Sequence, residues 1–361
     1  MKTNAKLLLT PSQIMPSMKS MRVRGVFNPG AVRLKNKKIM LFARVAETPY
    51  HDDKTFIAPR FAGKARSHVI IEKIGRDKIE EHEGVFKIGE DIYRLPTLSH
   101  LRKILLDRSG MEVEEISGDF DFAGMSEDGD FGVEDPRITY FAREKRYAMT
   151  YVSVSMSSGV STSLALSRDL AKWDRKGVIF RQQNKDVVLF PEKIGGYYVA
   201  LHRPEGTMIF DKPSIWLSYS RDLIFWGKDV PLMKPRNSGW ERLRIGAGTV
   251  PIKTDEGWLE IYHGVQPKRA KNGDITKVYS AGAVLLDSKR PDKVLRITPA
   301  KEPLFAPKYK FEREGFVGGV VFPTAAIPDL DGKSLLIYSG AADSCTTVRK
   351  IKIRAILNSL R

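Results

Sequence analysis

Residues 28–45 read NPGAVRLKNKKIMLFARV, and this pattern returns four more times along the chain. Each copy contains a proline, a short extended run, a turn, and a second run rich in aromatic and β-branched residues that ends in a polar side chain. The further copies are DPRITYFAREKRYAMTYVSV from Asp135, FPEKIGGYYVALHRP from Phe190, VPIKTDEGWLEIYHGV from Val250 and FPTAAIPDLDGKSLLIYSGAAD from Phe322. A repeat of this kind indicates an architecture built from similar units.

The spacing of the copies predicts the size of each unit. Their prolines stand at positions 29, 136, 191, 251 and 323, so that successive copies are 107, 55, 60 and 72 residues apart. Alternating runs such as KIMLFARV and YYVALHRP predict strands, and each interval has room for about four of them. Five four-strand units predict an all-β fold, a five-bladed β-propeller. We expect one domain over residues 1–361, with a loop insertion around 47–95 and a short C-terminal extension.

Composition narrows the class of protein. The 361 residues include 60 Lys and Arg against 43 Asp and Glu, a net charge of +17, and 42% hydrophobic residues, which is ordinary for a globular protein. The basic excess is compatible with a nucleic-acid surface, an anionic substrate or solvated charge. Because the basic residues are scattered without a run of five, we expect no nucleic-acid partner. The single Cys345, a short leucine run at the amino terminus and the absence of a long apolar segment predict a cytoplasmic protein without a membrane partner.

The repeat also predicts a functional site. Equivalent positions of a propeller converge on one central channel, although they are far apart in sequence. Polar residues stand beside the repeat prolines and at the ends of the paired strands, which suits a funnel that binds a polar ligand. These candidates are Asn28, Glu134, Asp135 and Arg137 beside the prolines, and Arg44, His202, Arg203, Tyr262, His263 and Asp343 at the strand ends.

The residue types in this set point to glycoside chemistry. The sequence has no HExxH, CxxC or phosphate-binding glycine motif, so we expect no metal and no cofactor. Glycoside hydrolysis normally uses two carboxyl groups. With inorganic phosphate as the attacking group, cations replace the second carboxyl group, and Arg44, Arg244 and His263 are suited to that task. One central Asp among bases therefore favours phosphorolysis.

Six ordered blocks carry a family resemblance. They are FNPGAV (27–32), LFARVAE (41–47), GVEDPRIT (132–139), FPEKIGGYYVALHRP (190–204), RIGAGTVPIKTDEGWLEIYHGV (244–265), and VVFPTA followed by YSGAAD. Together they resemble glycoside hydrolase family 130 over nearly the full chain. The resemblance implies a five-bladed propeller that cleaves β-mannosides, usually as an inverting phosphorylase with phosphate as co-substrate that yields α-mannose 1-phosphate.

The resemblance also implies roles for individual residues. Asp135 is expected to be the general acid, which passes its proton through a mannose hydroxyl. Arg44, Arg244, Tyr262 and His263 are expected to contact phosphate, Asp343 to bind mannose, and Arg102 to be a further sugar contact. The linkage, the acceptor sugar and the oligomeric state stay open, and a homo-oligomer is one outcome that relatives suggest.

One departure from the family pattern keeps alternatives open. Where phosphorylases commonly carry a base close to a Gly-Pro pair, this chain reads SVSMSSGVSTSLALS, with Ser157 and Ser158 in place of the base. A β-mannoside hydrolase of the same family is therefore an alternative. A non-catalytic carbohydrate- or nucleic-acid-binding propeller is a third reading.

Overall fold

The computed structural model describes residues 3–50, 54–64, 67–82, 84–181, 183–269 and 273–361, and these residues form an all-β protein. In chain order the strands are β1 (Lys6–Leu9), β2 (Met21–Arg33), β3 (Ile39–Pro49), β4 (Thr55–Ala62), β5 (His68–Gly75), β6 (Ile79–His82), β7 (Val85–Ile88), β8 (Ile92–Arg94), β9 (Leu98–Leu106), β10 (Val113–Ile116), β11 (Gly132–Phe141), β12 (Arg146–Ser155), β13 (Gly159–Ser167), β14 (Asp174–Phe180), β15 (Asn184–Leu189), β16 (Tyr198–Pro204), β17 (Ile215–Ser220), β18 (Trp226–Met233), β19 (Arg244–Ala247), β20 (Ile252–Thr254), β21 (Gly257–Arg269), β22 (Ile275–Leu286), β23 (Val294–Ile297), β24 (Val321–Pro328), β25 (Ser334–Ala341) and β26 (Cys345–Lys352). The α-helices are α1 (Lys310–Arg313) and α2 (Ile353–Ser359), and short 3-10 helices span Pro11–Gln13 and Arg76–Lys78.

Most strands belong to five antiparallel units. Unit 1 contains β2, β3, β9 and β10, unit 2 contains β11 to β14, unit 3 contains β15 to β18, and unit 4 contains β19 to β23, in which β19 and β20 both pair with β21. Unit 5 combines β24, β25 and β26 with β1, so that the two ends of the chain share one sheet. Units 1 and 2 are joined by a parallel bridge between Ser99 and Gly132.

Apolar side chains pack between the units. Five buried clusters lie between units 1 and 2, 2 and 3, 3 and 4, 4 and 5, and 5 and 1. Strand β25 shows the reason: Leu336 and Tyr338 pack with residues of unit 1, whereas Leu335 and Ile337 pack with residues of unit 4. Alternate residues of a strand point to opposite faces, so each sheet is buried on both sides.

The first strand of each unit lies near the first strands of its neighbours. Strand β2 contacts β11 and β24, β11 also contacts β15, and β15 contacts β19. These strands carry the polar residues that the repeat singled out. The fold therefore brings residues distant in sequence to one central region.

The segment around residues 47–95, which we expected to be loops, contains strands. Strands β4 and β5 form a hairpin, and β6, β7 and β8 form a second small sheet. A ring stack between Phe56 and Phe86, with centroids 4.1 Å apart, gives this segment an apolar core that its high charge concealed. Residues 51–53, 65, 66 and 83 of the expected insertion lie outside the described residues.

At the C-terminal end of the chain, a last strand continues into a short helix. Strand β26 passes directly into α2, whose Ile356 and Leu357 are buried in the cluster between units 4 and 5. Among the described residues, neither helix has the length or apolarity that crossing a membrane requires.

Candidate functional site

Three first strands contain the same β-bulge. In each bulge, two residues of the first strand lie opposite one residue of the partner strand. They are residues 28 and 29 of β2, residues 135 and 136 of β11, and residues 186 and 187 of β15. The first bulge residues are Asn28, Asp135 and Asp186, with φ of 48°, 47° and 57°. Bulges redirect side chains and are common beside active sites.

The residue types explain why the bulges form here. A positive φ is strained for most side chains, but Asn and Asp tolerate it because they are short and polar. Asn28 and Asp135 are each followed by a proline, which lacks the N–H that a strand ladder would use. The sequence thus interrupts regular strand pairing at Asn28 and Asp135, the positions that carry the polar side chains of the candidate site.

The third bulge corrects the alignment of the repeats. Matching the prolines placed Phe190 opposite Asp135, but the structural equivalent is Asp186, which precedes Pro191 by five residues. Phe190 is instead a buried core residue whose ring lies against Trp258. Asp186 was missed because the third unit has Val187, not proline, after its bulge aspartate.

Asp135 lies at the centre of the candidate site. Its side chain is 4% exposed; Oδ1 accepts a hydrogen bond from Asn28 Nδ2 at 2.9 Å and lies 3.2 Å from Arg44 Nη1. Burial favours the neutral carboxyl group, but the charges of Arg44 and Arg137 outweigh it and hold the pKa of Asp135 below its usual range. Without substrate, Asp135 is therefore a carboxylate at neutral pH.

Two further acidic groups surround Arg44. Arg44 Nη2 lies 2.7 Å from Glu134 Oε1, and its Nε donates to Ser99 Oγ at 3.1 Å. Asp343 has the opposite electrostatic character to Asp135. Burial raises the pKa of Asp343 to about 6, Arg44 opposes that shift, and the nearby Asp135 adds to it. Asp135 and Asp343 therefore differ in proton affinity within one cluster.

Arg137 connects Asp135 with the third unit. It is 1% exposed; Nη1 donates to the backbone carbonyl of Asp135 at 2.8 Å, and Nε donates to the carbonyl of Gly248 at 3.3 Å. Its Nη2 lies 3.5 Å from Asp186 Oδ1. Arg137 is thus held by the backbone on one side and by a carboxylate on the other.

Asp186 gathers positively charged and imidazole groups. Its Oδ2 accepts a hydrogen bond from Arg203 Nε at 2.7 Å and lies 3.7 Å from His263 Nε2. Burial would raise its pKa, but the charges of Arg203 and Arg137 lower the pKa of Asp186 far below the ordinary value. Asp186 is therefore a permanent carboxylate that holds these groups in place.

His263 is neutral in this environment. Burial lowers its pKa to about 3, and Arg203, Arg137 and Arg244 lower it against the pull of Asp186. We expected His263 to contribute positive charge; in the protein without phosphate, it can only act as a hydrogen-bonding group. Its Nδ1 is buried without a partner among the described residues.

Two more basic residues complete the cluster. Arg244 begins β19 and lies 3.9 Å from Glu205 Oε1, a carboxylate that also pairs with Arg203. Lys185 is the residue directly before the bulge of β15, and its charge acts on Asp135 and Asp343. Lys185 was not predicted as a site residue, although its place beside the bulge is equivalent to that of Glu134.

Comparison with known proteins identifies the family. Residues 116–361 match the model of glycoside hydrolase family 130, described as β-1,4-mannooligosaccharide phosphorylase. The chain belongs to glycoside hydrolase family 130. The family model covers the bulges of units 2 and 3 and all of units 4 and 5 apart from β1.

Family 130 relatives align over most or all of the chain. The β-1,2-mannobiose phosphorylase of Listeria innocua is 34% identical over 98% of this chain and 96% of its own. The 1,2-β-oligomannan phosphorylase of a Thermoanaerobacter species is 39% identical over 62% of this chain and 70% of its own. The solved Listeria innocua enzyme in complex with β-1,2-mannobiose has a TM-score of 0.83 and 32% identity, covering 98% and 96% of the two chains.

Three of the predicted site residues lie outside the cluster. Tyr262 points to the opposite side of β21 from His263; its hydroxyl donates to Glu241 at 2.6 Å within the core between units 3 and 4. His202 stacks on Phe180 with centroids 4.7 Å apart, whereas its neighbour Arg203 faces Asp186. Both placements follow from strand alternation.

Arg102 is the third such residue. It pairs across the sheet with Ala43, the neighbour of Arg44, and therefore faces away from the Arg44 side. Its Nη2 lies 3.4 Å from Glu47 Oε1, and Glu47 also accepts from His100. Arg102 is completely buried, so the structure assigns it a contact in the protein interior.

The serine segment that departs from the family 130 pattern forms a compact turn. Ser155 Oγ lies 2.6 Å from Ser158 Oγ and 3.3 Å from Ser157 Oγ. These hydroxyls satisfy one another and bring no positive charge. No group of three or more potential metal ligands is found within the described parts of the chain.

Proposed function

We propose that this chain is an inverting β-mannoside phosphorylase, which transfers a mannosyl group from a short β-mannoside to inorganic phosphate and releases α-mannose 1-phosphate. The observation that carries the proposal is one bulge carboxylate, Asp135, in contact with Arg44 and within the field of Lys185, together with a second set of bases, Arg203 and Arg244, around His263. The similarity to mannoside phosphorylases over the full chain supports it.

The chemistry follows from this arrangement. Asp135 supplies a proton to the glycosidic oxygen, the bond from that oxygen to the anomeric carbon breaks, and the acceptor sugar leaves with a new hydroxyl group. A phosphate oxygen forms the new bond from the opposite face, which converts the β-linkage into α-mannose 1-phosphate. Because phosphate is the nucleophile, no second carboxylate has to activate water.

Phosphate also helps Asp135 to hold a proton. In the protein without ligand, Arg44 keeps Asp135 ionised. A phosphate dianion among the same cations offsets their charge, which raises the pKa of Asp135 towards the range of a general acid. Asp343, whose pKa is about 6, lies in the same cluster and keeps one proton near Asp135 under mildly acidic conditions.

The phosphate site is built from Arg44, Arg244 and His263, joined by Lys185 and Arg203. Arginine presents paired N–H donors that match phosphate oxygens, and neutral His263 contributes a hydrogen bond. Asn28, Glu134 and Asp343 border the mannose side of the cluster. Arg137 and Asp186 hold these groups in position.

We also propose that the five units form a five-bladed β-propeller in one domain. Its support is the cyclic order of the apolar clusters, in which each unit packs against two neighbours and unit 5 packs against unit 1. Pairing of β1 with β26 would then close the ring.

The finer properties of the substrate are proposed from the relatives. The Listeria innocua relative, which aligns over nearly the full chain, is named for β-1,2-mannobiose, so we propose a β-1,2-linked mannoside as substrate and phosphate as co-substrate, without a metal or other cofactor. A cytoplasmic location and a homo-oligomer remain proposals from the sequence.

Hydrolysis is the second candidate. The serine turn at residues 155–158 has no base at the place where phosphorylases commonly carry one, and this observation favours water as the nucleophile.

The test is turnover of β-1,2-mannobiose, β-1,4-mannobiose and mannosyl-glucose, each with and without inorganic phosphate. Our proposal predicts mannose 1-phosphate from β-1,2-mannobiose, formed only with phosphate. Free mannose at an unchanged rate without phosphate would assign the hydrolase reaction, and preference for a β-1,4 substrate would overturn the proposed linkage.

A further inference from the structure

A buried carboxyl group with no role in the chemistry above lies beside the cluster. Glu260 on β21 is completely buried, and its Oε1 accepts a hydrogen bond from the backbone N–H of Gly248 at 2.8 Å. Its Oε2 is buried without a hydrogen-bond partner among the described residues. An unpaired polar atom in the interior is costly, so its retention calls for an explanation.

The position of Glu260 shows what its carboxyl group replaces. The first strand of unit 4 is interrupted: β19 ends at Ala247, paired with Tyr262, and β20 begins at Ile252, paired with Leu259. Glu260 lies opposite this gap, where its side chain takes the N–H of Gly248. In unit 4 the pairing of the first strand is interrupted by this gap, as it is interrupted by bulges in units 1 to 3, and the carboxyl group of Glu260 takes the place of a strand partner for Gly248.

The gap leads directly to the general acid. The carbonyl of Gly248 accepts a hydrogen bond from Arg137 Nε at 3.3 Å, and Arg137 Nη1 donates to the carbonyl of Asp135 at 2.8 Å. Only glycine fits at this position, because a Cβ there would collide with the carbonyl oxygen of Ile261. A continuous set of hydrogen bonds thus joins Glu260 to the backbone of Asp135.

We propose that Glu260 is a positioning residue for the phosphorolysis: its carboxyl group fixes Gly248, and through Gly248 and Arg137 it fixes the bulge that presents Asp135. This inference rests on the proposed function. Glu260 does not touch the reacting groups in this scheme. It acts through the orientation of Arg137, whose guanidinium also faces Asp186.

The charge state of Glu260 fits this role. Burial raises the pKa of Glu260 to about 8, the N–H groups of Gly248 and Thr249 and the charge of Arg137 oppose the rise, and Asp186 adds to it. Glu260 also acts electrostatically on the hydroxyl of Tyr262. At neutral pH the group is mostly an uncharged acid. It can accept from Gly248 without adding negative charge beside the phosphate site.

Two substitutions separate positioning from charge. Glu260→Gln keeps an oxygen for Gly248 and copies the neutral acid, so we expect kcat to stay within about twofold of wild type. Glu260→Ala removes that oxygen and releases Gly248 and Arg137, so we expect kcat to fall about 10- to 100-fold with a smaller change in KM for the mannoside. Equal activity of both variants, or equal loss in both while folded, would overturn the proposal.

Glu312→Gln is the matched control. Glu312 is also a completely buried carboxyl group; it accepts from the backbone N–H groups of Lys308 and Tyr309 and contacts Arg349, away from the cluster. We expect its kcat per folded molecule to equal that of wild type. Thermal unfolding of all three variants shows whether enough folded protein is present for the comparison.

A binding measurement separates this inference from the proposed function. Calorimetric titration with inorganic phosphate at about pH 7 and about pH 9 compares wild type with Glu260→Gln across the ionisation of Glu260. At the lower pH we expect wild type and Glu260→Gln to bind phosphate with equal affinity. At the higher pH we expect wild type to bind phosphate at least about threefold more weakly than Glu260→Gln, because ionised Glu260 repels phosphate. Equal affinities at both values would overturn the charge argument. Absence of mannose 1-phosphate formation by wild type would instead overturn the proposed function.

Discussion

The bulges of β11 and β15 hold an aspartate in the same backbone conformation, yet the two aspartates have different surroundings. Asp135 and Asp186 have φ of 47° and 57° and occupy the same position relative to their partner strands. Asp135 is bound by neutral Asn28 and by Arg44, whereas Asp186 is enclosed by Arg203, Arg137 and His263. The same bulge thus positions the proposed general acid in unit 2 and a carboxylate that neutralises buried arginines in unit 3.

The neighbouring side chains, more than the backbone conformation, decide the role of such a residue. A carboxylate surrounded by several fixed cations cannot gain a proton at an accessible pH. A carboxylate that directly contacts only one arginine and an amide can do so when a phosphate offsets the charges of Arg44, Arg137 and Lys185. The following variants test this contrast.

Asp135→Asn should have the largest effect on rate. The amide keeps the oxygen that accepts from Asn28 and tolerates the positive φ, but it has no acidic proton. We expect kcat to fall about 10²- to 10⁴-fold, with a thermal unfolding temperature close to that of wild type. A substrate with a nitrophenol leaving group, which needs little protonation, should recover part of the activity. Full activity of this variant on mannobiose would remove Asp135 from its assigned role.

Asp186→Asn should act mainly on stability. Removing this carboxylate leaves Arg203 and Arg137 buried without their common counter-charge, which costs about 3–5 kcal/mol for a broken buried ion pair. Urea unfolding of Asp186→Asn and Asp135→Asn, measured side by side, should show that loss only in the former. A stable Asp186→Asn protein with an activity loss as large as that of Asp135→Asn would contradict the division of roles.

The sequence identified Asp135 as a site residue, but it identified neither Asp186 nor which side chains surround each of the two aspartates. Asp135 was found because Asp-Pro recurs at the repeat position of Asn28-Pro29. Asp186 escaped because Val187 follows it, and a bulge depends on pairing with another strand, which no single segment reveals. The charged segment containing β4 to β8 hid its small apolar core for a similar reason, since Phe56 and Phe86 meet only after folding.

Neighbouring residues in one strand illustrate a second limit. The sequence nominated the pairs His202 with Arg203 and Tyr262 with His263, although adjacent strand residues point to opposite faces. Which member faces the site depends on register, and register is set by partner strands. Arg203 and His263 face Asp186, whereas His202 and Tyr262 pack between units.

Substitution of Tyr262 and His263 tests this assignment. His263→Asn should raise the KM for phosphate about 10-fold, because a hydrogen bond to a charged group is lost. Tyr262→Phe should leave that KM unchanged and lower the free energy of unfolding by about 1 kcal/mol, because Glu241 loses a donor. Steady-state kinetics with varied phosphate and urea unfolding measure the two effects. A raised phosphate KM in Tyr262→Phe would show that this hydroxyl reaches phosphate.

The pH dependence should be the mildest of these effects. The folded pKa of Asp343 is raised to about 6, so its proton is present below that pH and lost as the pH rises through it. We therefore expect kcat/KM for the mannoside to decline above about pH 6 and to level off within about fivefold, because Asp343 assists the general acid and does not replace it. Asp343→Asn should remove this decline, whatever its effect on the overall rate. A flat profile between about pH 5 and about pH 8 in wild type would contradict the shared proton.

The most direct test of the central claim is a proton NMR time course of β-1,2-mannobiose cleavage in phosphate buffer. We predict that the first product is mannose 1-phosphate in the α configuration, and that its formation stops when phosphate is omitted. A β-configured first product, or free mannose released equally well without phosphate, would contradict phosphorolysis with inversion at the Asp135 cluster.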